Sequence, residues 1–550
     1  MIIHEIFIFF ISFVILSMSI SGHGSLMTYK IKSNLFIDIF FGFIVISFLI
    51  TLLHFFVKIN FLISLIIFLT GLFLFFKNKT SSLKEFLKEN IFLYQIILIL
   101  FFIPMFLSQK YHEDFGYYHL PYALAFLEEK IVFGFANIDK SFVYNSIWLN
   151  LNSIFFLEEK NYNFLTLPSF IIFLSFIIFS INKLIKKKNI LTSDYYLVVI
   201  LFYFLLKFTR ISEFGVDLPS VVFSILGIYY FIKFFETNLI KEKKIYFYFN
   251  LTFSIFSILI KLSTLPIILL TFYIYFRNFI DLKYYIFRRN FFIIYLLCLL
   301  FIIQQFIYTG CFIFPSQLTC LDFSWFNLDY LNLSKKLELI NKSYSEARNI
   351  YSPQEYLNNF NWFSFWLQRN YIEISEHLLT ISLPTLIFIF TLKRNANNSL
   401  FFKEKKILYI FLFLNLFFWL NFSPVYRFAI HLFATLIFLF LLNFLILSEF
   451  SKKKFIIFIS IFILFSFSKN IIRINNTDNI FLGIQKMDNK YIFDETHSNK
   501  YVNVFYPDIE TNHLNGWQGR LCWDIPFICT YNKIEVKNKY GYLIINKLKN

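Results

Sequence analysis

The sequence predicts an all-α polytopic membrane protein with about 14 transmembrane helices, extracytoplasmic surface helices and a small C-terminal extracytoplasmic domain. Composition is the first observation behind this prediction. Of 550 residues, 58% are hydrophobic and 15% are charged, whereas a soluble domain has about 25% charged residues. The second observation is that apolar runs of membrane length recur along the chain. The third is that Lys and Arg cluster in the connections between those runs, as the positive-inside rule describes.

A net charge of +17 would suggest a nucleic-acid partner in a soluble protein. Here the basic clusters separate apolar runs, so they predict how the helices are oriented in a lipid bilayer, and no nucleic-acid partner is expected. Several of the runs are shorter than a typical span, and their boundaries are approximate. The runs lie at 5–20, 35–56, 60–76, 91–108, 164–182, 195–208, 219–235, 246–261, 265–276, 291–308, 374–392, 407–420, 428–448 and 455–468.

The first run predicts a membrane helix whose amino end lies outside the cytoplasm. His4 and Glu5 precede it and Lys30 follows it, so it lacks the basic n-region of a cleaved secretory signal. Alternation from this helix then predicts that every strong basic cluster lies inside the cytoplasm. These clusters lie at 77–90, 183–189, 236–245, 277–290, 393–406 and 449–454.

The same alternation predicts exterior loops at 109–163, 209–218 and 309–373. We therefore divide the chain into three parts: N-terminal transmembrane helices (1–90), a transmembrane core with these loops (91–470) and an extracytoplasmic C-terminal domain (471–550). The last part is polar and contains Gly and Pro, which predicts a β-rich or irregular fold.

Four of the five cysteines lie in predicted exterior regions as two closely spaced pairs, Cys311 with Cys320 and Cys522 with Cys529. Disulfides persist in oxidising compartments, so each pair is predicted to form one. Free thiols are an alternative. A zinc site is a weaker one, because neither spacing has a nearby His pattern. Cys298 falls within an apolar run and is predicted to be a small buried hydrophobic residue.

The most informative polar stretch is 109–156, which begins QKYHEDFGYYHLPY and separates two apolar runs. It contains adjacent acids, Glu113 and Asp114, directly after a run of membrane length. Two amphipathic segments follow, and they predict helices lying on the membrane surface. This arrangement would hold the acids at the interface, beside any substrate whose reacting end leaves the bilayer. Tyr118 and His119 follow the acids and are candidate substrate-binding residues.

The second exterior loop adds Arg210, Glu213 and Asp217. A loop this short is held at helix ends, so its carboxylates are placed to converge with Asp114 over one cavity. Paired acids suit a general base or a divalent cation with oxygen ligands. The alternative is an acidic loop that only keeps its connection solvated. The cofactor is therefore left open, with a divalent cation as one option.

Two basic residues lie at the edges of predicted membrane spans. Lys261 lies in ILIKLSTLP at the outer end of a predicted span, and Arg427 lies in NFSPVYRFAIH where a span begins. Charges at such positions are costly and often mark function. A phosphate in the same cavity would need a cation, and arginine offers a bidentate fork. The alternative is that both side chains reach to the interface without a ligand.

The pattern resembles the GT-C class of integral-membrane glycosyltransferases. The likeness rests on a span at 91–108, a long first exterior loop that opens with an acid motif (HEDFGYYH), surface helices within that loop, many further spans and a distal exterior domain. Loops such as DFGYYHLPYALAF, GCFIFPSQLTC and SPVYRF look closest to a bacterial multi-pass membrane family. The likeness to the GT-C class covers most of 91–470 and leaves 1–76 unexplained. The resemblance implies a polyprenyl-phosphate-linked sugar donor, with Asp114 as base or metal ligand, Glu113 as its alternate and Asp217 as a helper.

From this resemblance we expect sugar transfer to a hydroxyl of a glycan, lipid or protein acceptor at the outer face of a bacterial plasma membrane. Three alternatives stay open, and one of them is a scaffold without enzymatic activity. A transporter or flippase of lipid-linked saccharides would need polar residues within spans, and Asp38 and Gln304-Gln305 are the main ones present. A polymerase or ligase of surface polysaccharide would also use exterior loops.

Overall fold

The computed structural model describes residues 2–29, 31, 33–80, 92–107, 114–156, 162–186, 190–207, 215–327, 329–394, 404–446, 448–475, 493–498, 502–507, 513–514, 517–518, 522, 526–530 and 532–548. Within these ranges the chain forms 20 α-helices: α1 (Ile2–Thr28), α2 (Leu35–His54), α3 (Phe61–Asn78), α4 (Phe92–Leu107), α5 (Leu120–Glu128), α6 (Ile147–Asn152), α7 (Leu167–Lys186), α8 (Thr192–Leu206), α9 (Asp217–Glu236), α10 (Ile240–Ile260), α11 (Ile268–Arg277), α12 (Phe279–Leu282), α13 (Phe292–Thr309), α14 (Asp329–Asn341), α15 (Tyr344–Ala347), α16 (Pro353–Leu357), α17 (Phe363–Thr391), α18 (Lys405–Phe422), α19 (Ile430–Ile446) and α20 (Lys452–Asn475).

The described strands are short and pair only in antiparallel twos. The pairs are β1 (Lys393–Arg394) with β2 (Ser448–Glu449), β3 (Phe493–Ser498) with β4 (Asn503–Pro507), β5 (His513–Leu514) with β6 (Trp517–Gln518), and β7 (Ile534–Lys539) with β8 (Tyr542–Lys547). Three of the four pairs lie in the C-terminal part of the chain, where the polar composition predicts strands.

The fold is an integral multi-pass membrane bundle. Because lipid offers the backbone no hydrogen-bond partner, apolar runs satisfy their own amide groups as helices. Over the residues that the structure describes, each of the fourteen predicted runs is helical. Four of them, α4, α8, α10 and the stretch Leu262–Arg277, are shorter or less apolar than the other ten. In the described part of the chain, 10 stretches are long and apolar enough to cross a membrane: Ile6–Thr28, Leu35–His54, Phe61–Asn78, Phe164–Lys186, Asp217–Glu236, Arg289–Thr309, Phe363–Thr391, Lys405–Phe422, Tyr426–Leu445 and Lys452–Ile472.

Helix α2 lies inside the bundle and joins the N-terminal helices to the rest of the core. Its residues are hydrophobic on all sides and mostly buried, as expected for a helix surrounded by others. It packs against α1, α6, α7 and α13. A Cβ built on Gly24 of α1 would lie 1.8 Å from the backbone oxygen of Asp38, so only glycine permits this close approach.

Asp38, one of the polar residues found within a predicted span, is fully buried and paired. Its carboxylate lies 2.6 Å from the Lys79 ammonium and accepts hydrogen bonds from Thr28 and Ser33. A buried carboxylate with this many partners has its desolvation offset. Asp38 therefore ties α1, α2 and the end of α3 together.

The loop segment 114–156, which we name the first loop segment, departs from the prediction of surface helices. Helix α5 is mostly buried, and α6 is short and fully buried. Burial is possible because the polar side chains of this segment find partners inside the protein. Tyr122, for example, donates to Asn150 at 2.8 Å, and Asn150 donates to Thr51 of α2 at 3.0 Å.

The C-terminal part of the chain packs on the first loop segment. The Ile545 amide of β8 donates to the Phe133 oxygen at 2.9 Å, and the Thr530 hydroxyl donates to the Ile138 oxygen at 2.7 Å. These contacts place both regions on one side of the bundle, as the predicted topology requires.

Both cysteine pairs are bonded in the structure, Cys311 to Cys320 and Cys522 to Cys529. Cys311 follows the end of α13, and Cys529 directly precedes the docked residue Thr530. Both disulfides therefore lie on the side of the bundle that carries the first loop segment. Cys298 is a free thiol within α13 and is partly buried.

Candidate functional site

Four charged residues from separate parts of the chain meet at one end of the bundle. Asp114 precedes a π-helical turn that leads into α5, and Asp217 is the first residue of α9. Lys261 directly follows α10, and Arg427 lies in the 3₁₀ turn before α19. Because each one stands where a helix begins or ends, the antiparallel course of the chain brings all four to the same face.

Arg427 connects the two carboxylates. Its Nη2 lies 3.8 Å from Oδ2 of Asp114, and its Nε lies 3.3 Å from Oδ2 of Asp217. Lys261 forms an ion pair with Asp217, and its Nζ lies 3.1 Å from the centroid of the Phe428 ring. Asp217 therefore contacts both cations. The prediction that Asp114, Asp217, Lys261 and Arg427 share one site agrees with these positions.

Burial displaces the pKa of the Lys261 ammonium group. Burial lowers its pKa to about 8; Asp217 and Asp114 oppose this, and Arg427 adds to it. A cation buried away from water loses hydration, which favours the neutral amine. The residue still carries a proton at neutral pH, so the site combines two cations with two carboxylates.

Two tryptophans hold the backbone that presents Arg427. The Trp366 indole of α17 donates to the Pro424 oxygen at 2.6 Å, and the Trp419 indole of α18 donates to the Val425 oxygen at 2.8 Å. Helix α18 ends at Phe422, just before this proline, because proline restricts the residue before it to extended conformations. Helices α17 and α18 thus hold the backbone next to Arg427, and neither helix contributes a charged side chain to the cavity lining.

The four charged residues line a cavity of about 740 Å³. Tyr118 and His119, predicted as substrate-binding residues, also line it, and His119 is buried. The remaining wall is partly aromatic and polar and partly aliphatic. It includes Tyr117, Lys140, Tyr144, Leu149, Leu262 and Phe428.

A buried network of amides supports one wall of the cavity. Asn145 lines the cavity and donates to Gln304 of α13 at 3.1 Å. Asn150 also donates to Gln304, at 2.8 Å, and accepts from Tyr122. Gln305 donates to the Val143 oxygen at 2.9 Å. The two glutamines, which the sequence places within a span, therefore bind the first loop segment to α13.

Sequence reasoning missed the contribution of α14. Glu338 and Asn341 line the cavity together with Leu333 and Leu337 of the same helix. Asn341 donates to the Ser423 hydroxyl at 2.9 Å, which joins α14 to the turn that carries Arg427. The sequence of α14 shows an ordinary amphipathic helix, and nothing in it distinguishes a cavity wall from a surface helix.

Three predicted site residues, Glu113, Arg210 and Glu213, lie outside the described residues. Among those that are described, no group of three His, Cys, Asp or Glu side chains comes together as a metal site. Asp114 and Asp217 meet Arg427 there. A divalent cation at this site would need further oxygen ligands, and Glu113 and Glu213 are the nearest acids in sequence.

Comparison with known proteins gives one family. No curated protein and no solved structure matches the chain. The model of a family described as "Domain of unknown function (DUF8201)" matches residues 2–434. The match includes all four charged residues of the site and extends into α19. Because it covers well over half of the chain, the protein belongs to the DUF8201 family.

Proposed function

We propose that this protein transfers a sugar from a polyprenyl-phosphate-linked donor to a hydroxyl acceptor at the extracytoplasmic face of the membrane. The observation that carries the proposal is the position of Arg427, whose guanidinium group joins Asp114 and Asp217 in a cavity that Lys261 shares. The GT-C resemblance of the first loop supports the same assignment.

Arg427 and Lys261 supply the charge that a phosphate needs. In the transfer, the acceptor oxygen bonds to the anomeric carbon of the sugar, and the bond from that carbon to the phosphate oxygen breaks. The electron pair of the broken bond stays with the lipid phosphate, which gains negative charge. Cations held in place by Asp217 stabilise that charge without reorganising, which is the main source of electrostatic catalysis.

Asp114 is the residue we assign as general base. The assignment follows the GT-C resemblance, in which an acidic residue of the first exterior loop takes this role, and Asp114 lines the cavity. Asp217, by contrast, contacts both Arg427 and Lys261, so its role is to position the cations. The acceptor hydroxyl proton therefore passes to Asp114 as the new bond forms.

The size and side of the cavity fit this chemistry. A volume of about 740 Å³ is within the range of pockets that bury small-molecule ligands, about 300–1,000 Å³. Two disulfides lie on the same side of the bundle as the cavity, and disulfides belong to oxidising compartments. The disulfides therefore favour a site outside the cytoplasm.

The transporter alternative receives less support. Asp38 is paired with Lys79, and Gln304 is paired with Asn145 and Asn150. Asp38 and Gln304 hold structural elements together and are not among the residues that line the cavity. A polymerase or ligase of lipid-linked saccharides would use the same group transfer and would differ in its acceptor.

The test is Asp114→Asn in membranes that contain the full chain. The probes are polyprenyl-monophosphate-linked radiolabelled hexoses, and the measurement is the release of free polyprenyl phosphate together with labelled product. Removing a positioned base lowers the rate by about 10²–10⁴-fold, while binding of polyprenyl phosphate should persist.

Glu129→Gln is the matched control, because Glu129 belongs to the same loop segment but pairs with Lys58 at 3.0 Å and does not line the cavity. It should transfer sugar at the wild-type rate. Wild-type turnover by the Asp114 variant would exclude the base assignment. Failure of the wild-type protein to bind polyprenyl phosphate would exclude the proposed function.

A further inference from the structure

The segment from Cys311 to Cys320, which we name the disulfide loop, directly follows α13 and exposes apolar side chains. Leu318 is 99% exposed, Ile313 is 60% exposed and Phe312 is 40% exposed. No Asp, Glu, Lys or Arg occurs from Gly310 through Leu321. An uncharged, exposed apolar cluster of this kind marks an interaction surface. We propose that the disulfide loop inserts its apolar tip into the adjacent boundary of the lipid bilayer.

The tip continues the lipid-facing surface of α13. The exposed apolar residues of this helix recur every three or four positions and so form one face. The next residue of that face, Phe306, stacks on Phe312 with ring centroids 4.5 Å apart. The face is therefore continuous from the helix into the loop. Its helical members are Phe292, Tyr295, Leu299 and Ile302.

The backbone of the loop is suited to a poorly hydrated position. Entry of irregular backbone into lipid is costly when its amide groups lack partners. Here the disulfide closes the loop, and many of its amides bond within it. The amides of Phe312, Ile313, Ser316, Thr319 and Cys320 all donate to acceptors between residues 313 and 319.

The same loop reaches the candidate site, because Pro315 lines the cavity. The loop thus stands between the lipid-facing side of α13 and the chamber that contains the four charged residues. Its insertion would set the level of the chamber relative to the bilayer surface. This inference concerns placement in the membrane and does not depend on the reaction proposed above.

Photocross-linking in lipid nanodiscs tests the proposal with the full chain. Leu318 is replaced with benzoylphenylalanine, and the mass of lipid attached after irradiation is measured. Leu299, which is 52% exposed on the lipid-facing side of α13, is the positive control. Tyr540, which is 88% exposed in the turn between β7 and β8, is the control for a water-facing position.

We expect lipid adducts at position 318 within about threefold of position 299 and at least about tenfold above position 540. Ile313 serves as a second test position if the Leu318 variant does not fold, and the same result is expected there. Adducts to a second copy of the chain, or none at either position while position 299 reacts, would overturn the proposal.

Discussion

At the scale of single residues, the site depends on the shape of one guanidinium group. Arg427 reaches Asp114 with Nη2 and Asp217 with Nε, so one planar fork spans carboxylates from two different parts of the chain. Lysine carries its charge at one point and cannot reproduce this geometry. The charge alone is therefore not the property that matters at position 427.

We predict that Arg427→Lys lowers the affinity for polyprenyl phosphate by about 10-fold or more, because charge-assisted hydrogen bonds are worth about 1.5–3 kcal/mol each. Equilibrium binding in nanodiscs measures the effect. Arg369→Lys is the control. Arg369 is exposed, its guanidinium group lies 3.3 Å from the Glu346 carboxylate, and neither residue lines the cavity. Unchanged affinity in the Arg427→Lys variant would show that Arg427 does not bind the phosphate.

Lys261 predicts a pH dependence of binding. Burial lowers the pKa of Lys261 to about 8, so the residue loses its positive charge as the pH rises through this value. Above about pH 7, where a phosphate monoester already carries most of its second negative charge, polyprenyl phosphate binding should weaken as the pH passes about 8, by at most about tenfold per pH unit.

Lys261→Arg provides the comparison, because arginine stays charged over this range; its binding curve should be flat.

Protein stability should move in the opposite direction to binding. Between about pH 8 and the ordinary lysine pKa of 10.5, the unfolded chain holds a proton that the folded protein lacks. Stability from this residue therefore rises with pH there. If polyprenyl phosphate binding by the wild-type protein does not change over this pH range, the Lys261 ammonium group has no role in binding.

At the scale of elements, α13 supports the loop segment that carries the catalytic candidate. Gln304 accepts hydrogen bonds from Asn145 and Asn150, and both amides are buried. Amides buried in this way are costly unless every group is satisfied. The geometry of the cavity wall is therefore linked to one side chain near the end of a membrane helix.

We predict that Gln304→Leu destabilises the protein, because each buried polar group left without a partner costs about 1–3 kcal/mol. The thermal unfolding midpoint in nanodiscs should fall, and polyprenyl phosphate binding should weaken with it. Leu299→Ala is the control on the same helix, and it should change little since Leu299 faces lipid. Equal midpoints for the two variants would show that the network contributes no stability.

At the scale of the whole molecule, three regions far apart in the sequence combine on one side of the bundle. Strand β8 bonds to Phe133 of the first loop segment through Ile545, and Lys547 of the same strand pairs with Asp329 of α14 at 3.1 Å. Both the first loop segment and α14 line the cavity. The C-terminal part of the chain thus braces the two walls from outside.

We predict that Thr530→Val combined with Asn532→Ala releases this brace. The two side chains donate to the Ile138 and Asn137 oxygens, and each bond contributes about 1 kcal/mol. Together they amount to about 2 kcal/mol, so limited proteolysis should remove the C-terminal part roughly thirty times faster, following the population of the open form. Tyr540→Ala, in an exposed turn, should be cleaved at the wild-type rate, and equal rates for all three proteins would contradict the brace.

The positions of the helices and the identity of the four charged residues could be predicted from the sequence. Hydropathy does not depend on which helices are neighbours, and every predicted apolar run is helical over its described residues. Lys261 and Arg427 were recognisable because charges at the depth of a span are costly, and Asp114 and Asp217 because they belong to acidic loops beside apolar runs. The surface helices expected in the first loop were wrong, since burial of α6 depends on partners supplied by α2 and α13.

The sequence by itself determined that this chain is a helical membrane protein with charged groups at several helix ends, because local hydrophobicity decides what enters lipid. Only the tertiary structure decided that Asp217 holds both Lys261 and Arg427, that α14 closes the cavity and that the C-terminal strands brace it. These contacts join residues up to several hundred positions apart. Their partners are selected by packing and hydrogen-bond geometry, which no local pattern of residues records.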